Sequence, residues 1–278
     1  MILGLEKEVL YSLKLKQVLQ RSLRGLGHGR LWSSCSRIVL MGCASIGWVA
    51  STSAQVQYQQ MRIGQHVLEV VKIDQPGDLH LYLNDQNNKN IGSFNALQKH
   101  LGQCQQLGFA MNAGMYHPNY QPVGLYVENG KQKKALNTAQ GSGNFFMQPN
   151  GVLAWNQQKA VIQTTQDYQK TGFKASYATQ SGPMLVINGK INTAFKPTSD
   201  SYKIRNGVGI KGQSLYFVIS RSRINFYDFA QFFQKQLQVE NALYLDGTIS
   251  SLYYPGKSHD RLFQLGPMVA ISLPVVCR

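Results

Sequence analysis

Short apolar and alternating runs follow one another from residue 66 to the end of the chain and predict a protein built mainly of β-strands. Residues 66–73 and 79–83 flank an Asp-Gln-Pro-Gly-Asp turn, so they predict a hairpin. Asn-Gly pairs mark further turns at 129–130, 150–151 and 188–189. The other predicted strands cover residues 108–112, 123–128, 144–147, 152–155, 160–165, 173–180, 184–187, 190–191, 208–210, 214–220, 242–245, 263–265 and 268–276, with 131–134 as a return strand or loop.

Two segments instead repeat apolar residues every three or four positions, as amphipathic helices do. Residues 93–107 have Ser93 or Asn95 as a possible cap, and residues 225–239 begin with Asn225, which is also a good cap. The aromatic stripe of the second segment indicates core packing. The pattern therefore predicts an α+β fold: a single domain with a mixed, mainly antiparallel β-sheet core and about two main helices, over residues 66–278.

Residues 1–54 have the layout of an export signal: a basic flank, an apolar run at 38–50 and small residues that offer a cleavage point after Ala54. Such a run is too short to span a bilayer comfortably, so we expect no membrane span in the mature chain. A later start and an uncleaved anchor both remain open. We expect an exported protein, periplasmic or secreted, in which the Gln-rich residues 55–65 are a linker.

The chain carries a formal charge of +15, and the leader holds seven of its 28 basic and two of its 13 acidic residues. The remainder therefore keeps an excess of ten positive charges, which suits a phosphate-bearing substrate or an anionic surface. No dense Lys/Arg stripe with interleaved aromatic residues is present, so nucleic acid is not the expected partner. The oligomeric state stays open.

The cysteines and small-residue loops exclude several kinds of site. Beyond the leader only Cys104 and Cys277 remain, without zinc spacing, and either a disulfide or two free thiols fits them. No dense carboxylate cluster is present, so no dedicated metal site and no other cofactor is predicted, although a few loop oxygens that hold a metal ion stay an open alternative. The glycine loop at 140–143 matches no nucleotide-binding fingerprint, and Ser181 does not lie in Gly-x-Ser-x-Gly.

Three polar residues stand at the ends or breaks of apolar strands. Asp246 ends the run 242–245 and is a candidate site carboxylate, although Asp-Gly can simply form a turn. Arg205 stands at the mouth of a strand, where a guanidinium suits a phosphate or carboxylate, or a surface ion pair. Asn112 precedes Gly114 at a sharp break, which fits either a ligand-binding amide or a β-bulge.

Taken in order, three stretches resemble the phosphodiester glycosidase family over about residues 66 to 274. They are Asn-Ala-Gly-Met-Tyr at 112–116, Ser-Gly-Pro-Met-Leu at 181–185 with Arg-Asn-Gly-Val-Gly at 205–209, and Leu-Asp-Gly-Thr-Ile-Ser-Ser at 245–251. The pattern around Asn144, Ser181 and Asn225 is similar to a bacterial branch of that family. Members more usually have glycines where this chain has Thr248 and Ile249.

The resemblance implies a hydrolase that cuts a sugar-1-phosphodiester between the anomeric carbon and the phosphate, in an envelope polymer or lipid-linked sugar. It implies Asp246 as general base or as stabiliser of developing positive charge, and Arg205 as the clamp on the phosphate. Glu128 and Asp228 are the candidates for a second carboxylate. The alternative function is a non-catalytic sugar-phosphate binding module of the envelope. Some residues are expected to bind or orient the substrate, and the glycines among them are expected to let the protein backbone come close to it. These residues are Asn112, Gly114, Tyr116, Asn144, Ser181, Gly182, Asn206, Gly247, Ser250 and Ser251.

Overall fold

The strands that the structure describes are arranged in three sheets, A, B and C, and every pairing among them is antiparallel. The computed structural model describes residues 56–247, 249–259 and 264–277, so the predicted leader lies outside the described residues. Sheet A has the order β1-β2-β13-β12-β14-β10-β11. Its strands are β1 (Val56–Ile63), β2 (His66–Ile73), β13 (Ser214–Ser220), β12 (Asn206–Lys211), β14 (Asn241–Tyr244), β10 (Met184–Ile187) and β11 (Lys190–Ile191).

Sheets B and C are smaller, with five described strands each. Sheet B has the order β16 (Lys257–His259), β15 (Leu252–Tyr254), β4 (Gln105–Asn112), β17 (Met268–Pro274) and β3 (Leu79–Tyr82). Sheet C has the order β6 (Lys131–Lys134), β5 (Tyr126–Glu128), β9 (Tyr177–Ser181), β7 (Gly151–Trp155) and β8 (Ala160–Thr164). The mainly antiparallel α+β prediction is confirmed.

Among the described residues, three helices lie against the outer faces of these sheets. Helix α1 (Phe94–Leu101) starts where Ser93 Oγ accepts a hydrogen bond from Ala96 N at 3.1 Å, as predicted, and it ends at Gly102, earlier than predicted. Helix α2 (Thr165–Thr171) was not predicted: Thr165 was assigned to the end of a strand, and residues 166–171 were assigned to no element. Helix α3 (Phe226–Gln231) continues as a π-helical segment, Phe232–Leu237, and Asn225 caps it as predicted.

A central apolar core fills the space that the three sheets enclose. Phe109 of sheet B and Phe217 of sheet A meet with ring centroids 5.1 Å apart. The Trp155 indole N–H of sheet C donates to Leu79 O at 2.7 Å, which satisfies its one polar atom inside the core. Each sheet contributes buried members to this core: Val71, Val208 and Phe217 from A, Phe109, Met111 and Val269 from B, and Leu153, Trp155 and Tyr177 from C.

Several local predictions were wrong, either in the strand that a segment pairs with or in the type of element it forms. The strands β2 and β3 exist but do not form a hairpin, because β2 pairs with β1 and β13 in sheet A while β3 pairs with β17 in sheet B. The predicted linker at 55–65 holds β1, whose eight residues pair with β2 throughout. The predicted strand at 144–147 is a 3₁₀ turn, Asn144–Phe146, and two residues of the predicted strand 263–265 are not in a described strand.

Cys104 and Cys277 form a disulfide, which decides between the two states that the sequence left open. The bond joins the residue before β4 to the segment after β17, and Val275 N donates to Cys104 O at 3.0 Å beside it. The two neighbouring strands of sheet B are therefore covalently tied at one end.

Candidate active site

Asp246 follows the last residues of β14, at the end of the central core where the three sheets meet. Its neighbours Tyr244 and Leu245 are buried, whereas Asp246 itself is only half-buried. The apolar strand fixes the position of the backbone, and the next residue along the chain carries the carboxylate to the edge of the core. This is the position that the sequence predicted for a site carboxylate.

Two buried amides from different sheets hold the Asp246 backbone. Asn112, at the end of β4, donates from Nδ2 to Asp246 O at 2.8 Å, and Asp246 N donates to Asn206 Oδ1 at 3.0 Å. Asn206, at the start of β12, also donates from Nδ2 to Asn112 Oδ1 at 3.0 Å. Asn112 Oδ1 accepts a further bond from Ser251 N at 2.9 Å. These amides therefore orient the carboxylate rather than the substrate, because their hydrogen-bonding atoms are used inside the protein.

The loop from Gly247 to Ser251 is held by its own polar atoms. Gly247 N donates to the Tyr244 hydroxyl at 2.8 Å, and Ser250 Oγ donates to Gly247 O at 2.9 Å. Ser251 Oγ donates to Ile249 O at 3.1 Å, and both serines are buried. We predicted these serines as substrate contacts; burial and internal hydrogen bonds instead give them a role in shaping the loop.

Arg205 lies beneath this loop with only 1% of its surface exposed. Its Nε donates to Ile224 O at 2.8 Å, one terminal amino group donates to Ser201 O at 2.7 Å, and the guanidinium lies 3.6 Å from the centroid of the Phe226 ring. Burial lowers the pKa of the guanidinium, while the Tyr244 hydroxyl beside it opposes that shift. A clamp on the substrate phosphate, which the sequence predicted, does not fit this position, and neither does a surface ion pair. Arg205 therefore acts inside the protein, where it holds the segments that contain Ser201, Ile224 and Phe226 together next to the site.

Ser181 and Gly182 connect sheet C to the site. Ser181 is fully buried at the end of β9, and its hydroxyl donates to Leu245 O at 2.8 Å, so it holds the main chain next to Asp246, and its contact with substrate stays a prediction. A Cβ on Gly182 would stand 2.8 Å from Phe145 O and 2.7 Å from Asn150 Cβ. The glycine is needed because another segment of the protein passes there.

Gly114 and Gly247 likewise serve close approach within the protein. A Cβ on Gly114 would lie 2.7 Å from Gln180 O, and one on Gly247 would lie 2.7 Å from Ile204 O. Contacts this short are too close for a side-chain carbon, so the two glycines let sheets and loops meet around Asp246. At these two turns the close neighbour is another segment of the protein backbone, where the sequence predicted the substrate.

Tyr116 and Asn144 are the predicted binding residues that keep exposed surface. The Tyr116 hydroxyl donates to Gln264 O at 2.8 Å. Burial raises the pKa of Tyr116 to about 12, and the negative charge of Asp246 adds to the shift, so the two side chains share one electrostatic environment. Asn144 is exposed and opens the 3₁₀ turn next to the segment that packs against Gly182.

The two candidates for a second carboxylate lie in other local networks. Glu128 accepts hydrogen bonds from the Tyr126 hydroxyl and from Lys133 Nζ, both at 2.8 Å, within sheet C. Asp228 lies in the first turn of α3, where its backbone N–H donates to Asn225 Oδ1 at 2.8 Å. Within the described residues, no group of three or more His, Cys, Asp and Glu side chains is placed to hold a metal ion.

The sequence missed two buried contributors. Tyr244 bonds the loop through Gly247 N, and burial raises its pKa to about 12, so the hydroxyl stays neutral beneath the site. Gln180 accepts from Leu125 N and Asn137 N at 3.0 and 2.9 Å, which fixes the loop that leads to Asn144. Both residues lie inside predicted strands, and nothing in the neighbouring sequence distinguishes them from residues that only pack in the core.

The chain belongs to the phosphodiester glycosidase family: the family model matches residues 105–265, more than half of the chain and all of the strand ends that surround Asp246. The protein is therefore a hydrolase of the phosphodiester glycosidase class. Among the described residues, no helix has the length and apolar character needed to cross a bilayer.

Known proteins that are similar to this chain include a bacterial relative and a vertebrate catalytic domain. Uncharacterized protein YigE of Escherichia coli (strain K12) is 46% identical over 177 residues, which cover 63% of this chain and 69% of that protein. The solved structure of the zebrafish N-acetylglucosamine-1-phosphodiester alpha-N-acetylglucosaminidase catalytic domain, auto-inhibited by its pro-peptide, matches with a TM-score of 0.53. That match covers 79% of this chain and 82% of the zebrafish chain at 13% identity, so it shows the shared fold.

Proposed function

We propose that this protein is an exported hydrolase that cleaves the bond between the anomeric carbon and the phosphate of a sugar-1-phosphodiester, in an envelope glycan or a lipid-linked sugar. The observation that carries the proposal is the half-buried Asp246, which two buried amides from separate sheets hold at the rim of the central core. Enzymes hold reacting groups in this way because a small displacement costs a large factor in rate.

The chemistry needs little more than an oriented carboxylate. Glycosyl cleavage passes through a transition state with positive charge on the sugar, and a nearby carboxylate stabilises that charge. A phosphate leaving group is already a weak base, so it departs without strong protonation. We assign Asp246 to accept the proton of the attacking water while its negative charge faces the developing cation.

Export is supported by the disulfide between Cys104 and Cys277 and by the signal-like residues 1–54. Disulfides persist in oxidising compartments and are rare in the cytosol. Cell fractionation of the full chain, with thiol labelling of each fraction, tests this part. We expect the protein outside the cytoplasm with Cys104 and Cys277 protected; a cytoplasmic pool with two labelled thiols would contradict export.

The test of activity is release of free sugar from a panel of sugar-1-phosphodiesters by the full chain and by Asp246→Asn. We expect the variant to lose at least about a thousandfold in kcat, in line with the loss of a central catalytic group. Asp200→Asn is the matched control, because Asp200 is an exposed aspartate. Equal activity of Asp246→Asn and the parent protein would remove Asp246 from the mechanism.

A sugar-phosphate binding module without turnover is the second candidate, and the buried Ile249 favours it. Ile249, which stands where family members more usually have glycine, packs into the apolar cluster beside α1. A loop that has become part of the core can keep a pocket without the freedom that turnover requires. Binding of the panel by the parent protein with no sugar release from any member would favour this module.

A further inference from the structure

Tyr120 has a backbone conformation that is unusual for an aromatic residue. Its φ is +64°, in the left-handed region where a Cβ makes unfavourable contacts with the backbone. Glycine or asparagine is the ordinary choice at such a position. Strain of this kind persists only where the surrounding structure imposes it, and it concentrates at binding and catalytic sites.

The loop around Tyr120 is well determined by hydrogen bonds. Val123 N donates to Met115 O at 3.0 Å, and His117 N donates to Gln121 O at 2.9 Å, so the loop leaves and returns as a narrow ribbon. Tyr120 N donates to His117 O at 2.8 Å and closes the tip. These bonds fix the turn, and the turn directs the Tyr120 ring back towards Tyr116.

The two rings form one aromatic surface. Their centroids are 5.8 Å apart and their planes differ by 30°. Tyr116 is held in place at both ends. Its hydroxyl donates to Gln264 O, and its ring packs so closely on Gly266 that a Cβ there would lie 2.8 Å from Tyr116 Cε1. Tyr116 packs at the edge of the apolar cluster beside α1, whereas Tyr120 is not among the described members of that cluster. The ring of Tyr120 therefore adds to the surface rather than to the core.

The Tyr116 end of this surface is close to the loop that carries the proposed catalytic carboxylate, because Tyr116 packs in the same apolar cluster as Ile249, three residues after Asp246. Asn112, four residues before Tyr116, donates to the Asp246 backbone, and the charge of Asp246 acts on the Tyr116 hydroxyl. A sugar whose anomeric carbon is at Asp246 extends one ring width from it. The C–H bonds on one face of a pyranose carry small positive charges, which complement the negative face of an aromatic ring.

We propose that Tyr120 and Tyr116 form an aromatic wall that stacks against the sugar ring of the substrate, with Tyr120 as the residue that sets the affinity for that ring. This inference rests on the proposed function, because it assigns the sugar to the same site. The strained φ is the structural cost of holding the Tyr120 ring in this place.

Tyr120→Asn separates a binding role from a structural one. Asparagine tolerates the left-handed conformation, so we expect Tm to stay unchanged or rise, while KM for a sugar-1-phosphodiester of the panel rises about 3- to 10-fold with kcat little changed. Tyr120→Phe keeps the ring, so it should raise KM by less than Tyr120→Asn. Tyr168→Leu is the control: Tyr168 lies in α2 and packs against the outer face of sheet C, so this change should leave KM unchanged.

Direct binding provides a second readout that does not need turnover. Saturation-transfer NMR with free glucose, galactose, mannose and N-acetylglucosamine should show contact with the parent protein and with Asp246→Asn, and weaker contact with Tyr120→Asn. Turnover by the parent with an unchanged KM in Tyr120→Asn overturns the aromatic wall alone. A lower Tm at constant KM assigns Tyr120 to packing and also overturns it. Neither turnover nor sugar binding by the parent overturns both the wall and the proposed function.

Discussion

The middle of the central core and its end at Asp246 join the same sheets by opposite means. In the middle, Phe109 and Phe217 connect sheets B and A through ring contact alone. At the end, Asn112 and Asn206 connect the same two sheets through amide hydrogen bonds at 3.0 and 3.2 Å. Both pairs are buried, and neither carries a charge.

The difference shows how the protein separates stability from positioning. Apolar contacts are strong but non-directional, so they tolerate small shifts of one sheet against the other. Hydrogen bonds contribute less net free energy but lose it steeply when the geometry changes. The amide pair therefore fixes the carboxylate of Asp246, while the aromatic pair supplies the free energy that keeps the sheets together.

The largest effect on stability is expected in the middle of the core. Phe217→Ala should lower the free energy of unfolding by about 3–5 kcal/mol, because it removes a buried ring and leaves a cavity. Urea unfolding measures this change. Sugar release per folded molecule should remain at the parent level, and Phe217→Leu should cost less stability. A large fall in kcat of the folded variant would show that the middle of the core also positions the site.

A change in the amide pair should lower activity as well as stability. Asn206→Ala should lower the free energy of unfolding by about 2–3 kcal/mol, because Asp246 N and the Asn112 oxygens lose a buried partner. It should also lower kcat by about a hundredfold through displacement of the carboxylate. Asn192→Ala is the matched control, since Asn192, which directly follows β11, is another buried asparagine and its Nδ2 donates to Met184 O. Similar losses of activity in both variants would contradict the special role of the amide pair.

Arg205→Lys tests the guanidinium below the site. Lysine keeps the charge but cannot reproduce both main-chain hydrogen bonds and the contact with Phe226, so we expect a loss of about 1–2 kcal/mol in stability. The effect on kcat should be smaller than that of Asn206→Ala, and KM should change little. A rise in KM at unchanged stability would restore the predicted phosphate clamp. Unfolding curves and steady-state kinetics on the same preparation separate the two results.

The smallest effect concerns alkaline pH. The pKa of Tyr244 is raised by burial to about 12 in the folded protein, against about 10 for an unfolded tyrosine. Its contribution to stability is therefore complete below about pH 10 and is lost as pH rises towards about 12. Tyr244→Phe should flatten the fall in unfolding free energy across that window. Tyr202→Phe, at a tyrosine that is 42% exposed, is the control, and an equal change in both variants would exclude this origin.

Local chemistry explains why parts of the fold were predicted well. Ser93 and Asn225 cap their helices as expected, because a cap depends on residues three positions apart. Asp246 was placed at a strand end because apolar character stops there. The pairing of β2 with β13 rather than β3 was missed, since alternation identifies a strand but not its partner across 140 or more residues of sequence.

The roles of the polar site residues were harder to predict. Ser181, Ser250 and Arg205 have the chemistry of substrate contacts, and the sequence carries no sign of which way their side chains point. Each is buried and bonded to backbone in the folded protein. The strained turn at Tyr120 was also missed, because an aromatic residue is not one that the left-handed region of the backbone favours.

The sequence by itself determined the family of this protein, its mainly antiparallel strands, its two capped helices and the carboxylate at the end of β14, because periodicity, caps and turn residues act over a few positions. Only the tertiary structure decided which sheet each strand joins, that Cys104 meets Cys277, and that Arg205 lies under the site. Those outcomes depend on contacts between distant segments, where burial and hydrogen-bond satisfaction are decided for the whole core at once.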